Sequence, residues 1–204
     1  MHVSNLKLYR HPISGHSHRA ELMLSILGLD YELINVDLKN GEHKKPQFRK
    51  LNMLGQVPVL VDGDTVIADS SAILVYLAKT YDKTGAWLPD AAVELAEIQR
   101  FLSIASHQMV KGLVTARAIK LLGKDLDYTA AINESISLLN LLDEYLNGRE
   151  WMVGEQHTIA DIALYTYTKL APEAGVKMDI YSNIRHWLGN VESINGFISM
   201  NAKK

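Results

Sequence analysis

The chain has 204 residues, 48% of them hydrophobic and 22% charged, enough to bury a core without covalent staples. Its formal net charge of -2 offers no basic excess for nucleic acid or an anionic membrane; no run of about 18 apolar residues marks a membrane span. There is no cysteine, which excludes disulfides, zinc–thiolate sites and a protein thiol as nucleophile, so any sulfur chemistry must use a sulfur carried by a ligand.

The opening Met1-His2-Val3-Ser4-Asn5 lacks an apolar signal region, so export is not expected and a cytoplasmic location is. Leu6 to Tyr9 alternates as a strand does, and His11-Pro12-Ile13-Ser14-Gly15 is turn chemistry. Ser17 to Leu27 reads as a helix stopped by Gly28, with Ser17 the better capping candidate. Tyr31 to Val36 reads as a second strand, and Pro46 to Leu51 as a short helix with proline in its first turn. Val57 to Val61 and Thr65 to Ala68 flank Asp62-Gly63-Asp64 as a β-hairpin. Asp69 or Ser70 can cap a helix from Ala72 to Thr80, giving the order β-α-β-α-β-β-α.

After Asp82 the pattern changes. Lys83 to Pro89 is a linker candidate, and helical periodicity dominates beyond it. Leu95, Ile98, Phe101 and Ala105 share one helical face; in a later helix Ile132, Ile136, Leu139 and Leu146 lie opposite Glu134, Asn140, Asp143 and Asn147. Thr158-Ile159-Ala160-Asp161 has the form of a capping box with Asp in place of Glu or Gln. A last helix is expected from Tyr181 to Val191. The expected domains are residues 1–83, α/β, and residues 90–204, all helical.

Four short segments have the residue types for binding chemistry. Gln56-Val57-Pro58 sits where a strand begins; a cis Val57–Pro58 bond there leaves the Val57 backbone free to pair with a peptide-like ligand, although a trans proline also fits. Asp69-Ser70 opens a helix, whose amides suit a carboxylate while the Asp69 side chain suits an ammonium group; plain capping is the alternative. His43-Lys44 can hydrogen-bond a second carboxylate or form a solvated loop. Ser14 lies between the first strand and first helix, on the strand edge where open α/β sheets bind ligands; with no Gly-x-Ser-x-Gly elbow it reads as a hydrogen-bond donor. Arg19 reads as structural, tying the first helix to its neighbours. His11, His16 and His18 stand close together, but no cysteine supports them and no metal site is expected.

Together these pieces resemble the glutathione S-transferase family: Leu8-Tyr9, Ser14 with Arg19, Gly41 to Pro46, Asn52, Gly55-Gln56-Val57-Pro58-Val59-Leu60 and Asp69 to Leu77, with Thr158 to Asp161 later. The resemblance implies a thioredoxin-like N-terminal domain, an all-helical C-terminal domain and a homodimer. It implies glutathione as co-substrate and a hydrophobic electrophile as second substrate. Val57 would pair with the cysteinyl part of glutathione, Pro58 would be cis, and Asp69 and Ser70 would hold the γ-glutamyl end. His43, Lys44 and Gln56 would lie near the glycyl end and peptide backbone. Ser14 falls where serine-type members resembling the phi, theta and zeta classes place the hydroxyl that stabilises the thiolate; Ser17 or a loop N–H competes for that role. The second-substrate pocket would use Ile13 and the helix around His107, Met109, Val110, Leu113, Val114 and Arg117.

Some positions depart from the pattern. Met53 stands where many relatives have proline, Asp69 replaces the commoner Glu, and Ser71 stands where Asn is common. The lack of cysteine sets disulfide-reductase and dehydroascorbate-reductase chemistry well behind transfer. Glutathione-dependent isomerisation or dehalogenation, and a non-catalytic glutathione-binding module, remain alternatives.

Overall fold

A computed structural model describes residues 6–200; the opening Met1–Asn5 lies outside the described residues. The chain forms two compact units, one taking residues up to Thr84 together with the stretch from Ile194, the other spanning Gly85–Ser193.

The first unit is built on a four-stranded sheet of order β2-β1-β3-β4. Its strands are β1 (Leu6–Arg10), β2 (Tyr31–Asn35), β3 (Val59–Asp62) and β4 (Thr65–Ala68). β1 and β2 are parallel, and the other two pairings are antiparallel. The helices are α1 (Gly15–Ile26), the short α2 (Pro46–Arg49) and α3 (Ser70–Tyr81), with a 3₁₀ turn at Glu42–Lys44. The parallel pair needs α1 as its crossover, while Asp62 to Thr65 closes a hairpin. Leu6 and Leu8 on β1, Leu60 on β3, and Ala20, Leu24, Leu74 and Leu77 on the helices are all but inaccessible. The fold of this unit is thioredoxin-like.

Two helix starts differ from expectation. α1 begins at Gly15 rather than Ser17, because Ser14 caps it: the Ser14 Oγ accepts the Ser17 N–H at 3.2 Å. Ser17 is thereby inside the first turn, with its hydroxyl accepting the His11 N–H at 3.2 Å. α3 begins at Ser70, with Asp69 as cap. β3 begins at Val59, just beyond Pro58, which has no N–H to contribute to a ladder.

The second unit is helical: α4 (Ala92–Ser106), a π-helical turn (Val110–Val114), α5 (Thr115–Leu122), α6 (Tyr128–Tyr145), α7 (Ile159–Lys169), α8 (Ala171–Ala174) and α9 (Ser182–Glu192). Its core contains Ile98, Phe101, Met109, Leu113, Leu139, Leu142, Ile162 and Trp187. Leu95 and Ile136, expected on buried faces, are each 41% exposed. On α6 the inward stripe is Ala131, Ser135, Leu138, Leu139 and Leu142, rotated from the most hydrophobic side. Close approach explains the rotation: a Cβ on Gly112 would lie 2.8 Å from the Ser135 nitrogen, so the small residues of α6 face the π turn.

The capping box at the start of α7 is present. Asp161 Oδ2 accepts the Thr158 N–H at 2.8 Å, and Oδ1 accepts the Met152 N–H at 2.9 Å and the Trp187 indole N–H at 2.8 Å. Burial pushes the Asp161 carboxyl up to about 6, against the pull of these donors. Among the described residues, no helix is long and apolar enough to cross a membrane.

Candidate functional site

Strand register brings the candidate segments to one edge of the sheet. Tyr9 pairs with Val59, and Val59 with Ala68, so the end of β1, the start of β3 and the end of β4 lie side by side. Arg10 pairs with Asn35, which adds the end of β2. The loops carrying Ser14, Gln56-Val57-Pro58 and Asp69, and the segment leading to His43-Lys44, all leave from that edge. The sequence contains each segment but not this register.

The Ser14 turn is closed by its own amide, which donates to the His11 carbonyl at 2.9 Å. The Ser14 hydroxyl oxygen takes the Ser17 amide and keeps its own proton for donation outward. Ser14 is half-buried, whereas Ser17 is fully buried. A ligand atom can therefore approach Ser14 and not the Ser17 hydroxyl. The positive end of the 12-residue α1 adds to the pull on an anion at this point.

The Val57–Pro58 peptide is cis. Val57 packs on the small core of Val36, Phe48 and Val59, with Tyr9 and Leu51 alongside. None of the described residues hydrogen-bonds the Val57 N–H or carbonyl. The preceding loop is fastened by Asn52, 8% exposed: its Nδ2 donates to the Gln56 carbonyl at 2.9 Å, its Oδ1 accepts the Leu54 N–H at 3.0 Å, and its carbonyl accepts the Gly55 N–H at 2.8 Å. Gln56 itself is exposed.

Gly55 joins this loop to His43. It has φ +61°, and a Cβ there would stand 2.6 Å from the His43 carbonyl oxygen. Only glycine permits that backbone and that contact. His43 is half-buried in the 3₁₀ turn and Lys44 is exposed beside it. The structure thus brings His43, Lys44, Gln56 and Val57 together through Gly55. Asn52 and Gly55 entered the sequence reading only as parts of a motif; the turn-forming Asn-Met-Leu-Gly composition was the available signal.

Asp69 has φ 78°, in the region that side-chain-bearing residues rarely adopt. Its Oδ1 accepts both the Ser71 N–H at 2.7 Å and the Ala72 N–H at 3.2 Å. That leaves Oδ2 of this exposed residue with lone pairs for a cation. Ser70 is 3% exposed, and its Oγ accepts from Arg19 Nη1 at 2.8 Å. Arg19, expected to be structural, thereby ties the start of α3 to α1. The His16 Nδ1 lies 3.4 Å from both Arg19 Nη1 and Ser70 Oγ. His16 is half-buried by exposed area yet closely surrounded by protein, and that burial, reinforced by the Arg19 charge, pushes its imidazole down to about 3. The cluster is neutral at His16 and cationic at Arg19.

The helix expected to line a second-substrate pocket is largely core. Met109 and Leu113 are 0% and 1% exposed, and Arg117 is spent on Glu173 with Nε to Oε2 at 2.6 Å. Val110 and Val114 are half-buried, and His107 is exposed. An apolar stripe at helical spacing packs inward here, as most such stripes do.

A helix end with a hydroxyl donor, an open peptide edge and a carboxylate beside a second helix end suit an anionic, peptide-like thiol. Two family models match the chain. The model of the glutathione S-transferase N-terminal domain matches residues 4–79, and that of the C-terminal domain matches residues 117–195. Glutathione S-transferase 3 of Zea mays is 36% identical over 166 residues, covering 78% of this chain and 75% of the relative. The crystal structure of a glutathione S-transferase from Pseudomonas fluorescens superposes with a TM-score of 0.90 at 30% identity, covering 97% of this chain and 99% of that one. A glutathione transferase homologue from Drosophila mojavensis, solved with bound glutathione, has a TM-score of 0.84 at 27% identity over 94% of this chain and 89% of that one. The chain belongs to the glutathione S-transferase family, as a glutathione transferase.

Proposed function

We propose that the chain holds glutathione along the Val57 backbone and the Asp69–Ser70 turn, keeps its sulfur ionised with the Ser14 hydroxyl, and directs it at a hydrophobic electrophile. The Ser14 geometry carries this reading. Its oxygen is engaged by Ser17 N–H, its proton is available, and it is reachable where Ser17 is not. The chain has no cysteine, so the reacting sulfur is glutathione's own.

The energetics are sufficient. A free thiol has a pKa near ~8.5, and lowering it by ~2 units takes about 2.7 kcal/mol of differential stabilisation. One hydrogen bond to an anion contributes roughly 1.5–3 kcal/mol, and a helix N-terminus adds about 0.3–1 kcal/mol. The thiolate then attacks the electrophilic carbon. A carbon–sulfur bond forms, the leaving group departs with its electron pair, and the thiol proton has already passed to solvent.

Within this reading the Val57 N–H and carbonyl pair with the cysteinyl backbone of glutathione. The Asp69 Oδ2 takes the γ-glutamyl ammonium, the Ser70 N–H at the start of α3 takes its carboxylate, and His43, Lys44 and Gln56 surround the glycyl end. The protein acts in the cytoplasm as a homodimer, in detoxification. The apolar Met53 and Leu54, 81% and 65% exposed, fit a surface covered by a second copy.

Ser14→Ala tests the reading. Conjugation of an aryl halide near pH 7 should slow by about tenfold or more, with a much smaller change in glutathione affinity. Unchanged turnover would remove Ser14 from the chemistry.

A further inference from the structure

The stretch from Ile194 belongs with the first unit, far along the chain from the helix it touches. It lies on α1 at two points. The Ser25 Oγ donates to the Gly196 carbonyl at 2.7 Å, and the His18 Nε2 stands 3.0 Å from the Ile198 carbonyl oxygen. A carbonyl only accepts, so this ring nitrogen carries the proton. Between these bonds the two backbones nearly touch: Gly196 has φ +80°, and a Cβ there would meet the Ser25 carbonyl oxygen at 2.7 Å and the Ile26 Cα at 3.0 Å. The segment runs from the end of α1 towards its beginning, because Gly196 meets Ser25 and Ile198 meets His18.

His18 is one turn from the proposed thiolate donor. Its amide donates to the Ser14 carbonyl at 3.0 Å, the first bond of the helix. Its ring is buried, 4% exposed, and the burial keeps it neutral. Nothing in glutathione binding or sulfur chemistry as derived above uses it.

We propose that residues 194–200 brace α1, and that His18 is a positioning residue which, through its bond to the Ile198 carbonyl, fixes where the Ser14 end of that helix stands. The proposal rests on the Ser14 reading for its kinetic consequence. Its structural consequence is independent. A donor misplaced by about 1 Å can cost up to about a hundredfold in rate, so a partial shift of this turn is visible in turnover.

The test uses the full-length protein. His18→Leu should lower kcat about tenfold while the KM for glutathione stays within about threefold. The pKa of bound glutathione, read from thiolate absorbance, should rise towards the free value. Amide exchange at Ser17 and His18 should accelerate. His18→Gln, whose amide nitrogen reaches the place of Nε2, should restore both. Gly196→Ala displaces the segment without altering α1 and should reproduce the His18→Leu kinetics even if that variant folds poorly. Parental kcat, thiol pKa and amide protection in both His18→Leu and Gly196→Ala would overturn the brace. If Ser14→Ala keeps full activity while His18→Leu and Gly196→Ala lose it, the brace stands and acts on another donor in the same turn.

Discussion

Asp69 and Asp161 each stand at the start of a helix, and their surroundings are opposite. Asp161, in the helical unit, is wholly buried and gives both oxygens to protein donors: two backbone amides, the Trp187 indole and the Thr158 hydroxyl. Asp69, in the α/β unit, is exposed, holds a φ of 78°, and spends one oxygen on its cap. A carboxylate enclosed by donors serves the fold. One held at an unfavourable backbone angle keeps an oxygen to spare, which the proposed site assigns to glutathione.

If this contrast is right, Asp161→Ala has the largest effect. Three buried N–H donors lose their acceptor, and the second unit should lose about 3–5 kcal/mol, measured by denaturant unfolding. A loss under about 1 kcal/mol would show that the network is dispensable.

Acid separates the units next. His18 is pushed down to about 4 by burial, so it adds stability above pH ~6.5 that is lost as pH falls towards ~4, about 3 kcal/mol in all. His16 acts in the same direction. Asp161 acts in the other: its carboxyl is raised to about 6, so its contribution is present below pH ~3.8 and is lost as pH rises through ~6. Acidification from pH ~6.5 to ~4 should therefore loosen α1 while α7 holds or tightens. Amide exchange of the two helices over that range checks this, and equal loosening would contradict it.

Gly55→Ala comes third. It places a Cβ against the His43 carbonyl at φ +61°, at a cost of about 1–3 kcal/mol. Because the two loops it joins both face glutathione in the proposed site, the KM for glutathione should rise about tenfold and kcat much less. An unchanged KM would detach His43 from the site.

The smallest effect on stability is expected at Asp69→Asn. Asn caps a helix as well as Asp and tolerates a positive φ, so unfolding should shift by no more than about 0.5 kcal/mol. Glutathione affinity should nevertheless fall about tenfold, as one charge-assisted bond is lost. Calorimetric titration distinguishes this from a purely structural cap, which would leave binding intact.

The same contrast explains how much was legible in the sequence. The strands, the hairpin at Asp62 to Thr65 and the Thr158–Asp161 box depend on neighbours in sequence, and local chemistry identifies them. The site loops were recognisable as motifs because Pro58, Asp69 and Ser14 combine residue types that turns and helix ends select. What stayed hidden depends on distant partners. Arg19 reaching Ser70, Gly55 against His43 and the residues after Ile194 on α1 are contacts across long stretches of chain. The inward stripe of α6 was misread for a related reason: Ala131 and Ser135 are buried for their small size beside Gly112, which a hydrophobicity pattern does not register. Ser14 rather than Ser17 caps α1 because Gly15 and His16 join the helix, a choice that the two serines do not settle by themselves.

The most direct test of the central claim, that the Ser14 hydroxyl holds the glutathione sulfur as a thiolate, is a titration of bound glutathione by its thiolate absorbance in the parent and in Ser14→Ala. The account predicts that the parent-bound thiol titrates about 2 units below the free value of ~8.5, and that Ser14→Ala moves it most of the way back with glutathione still bound. A bound thiol that titrates at the same pH in both proteins would contradict it.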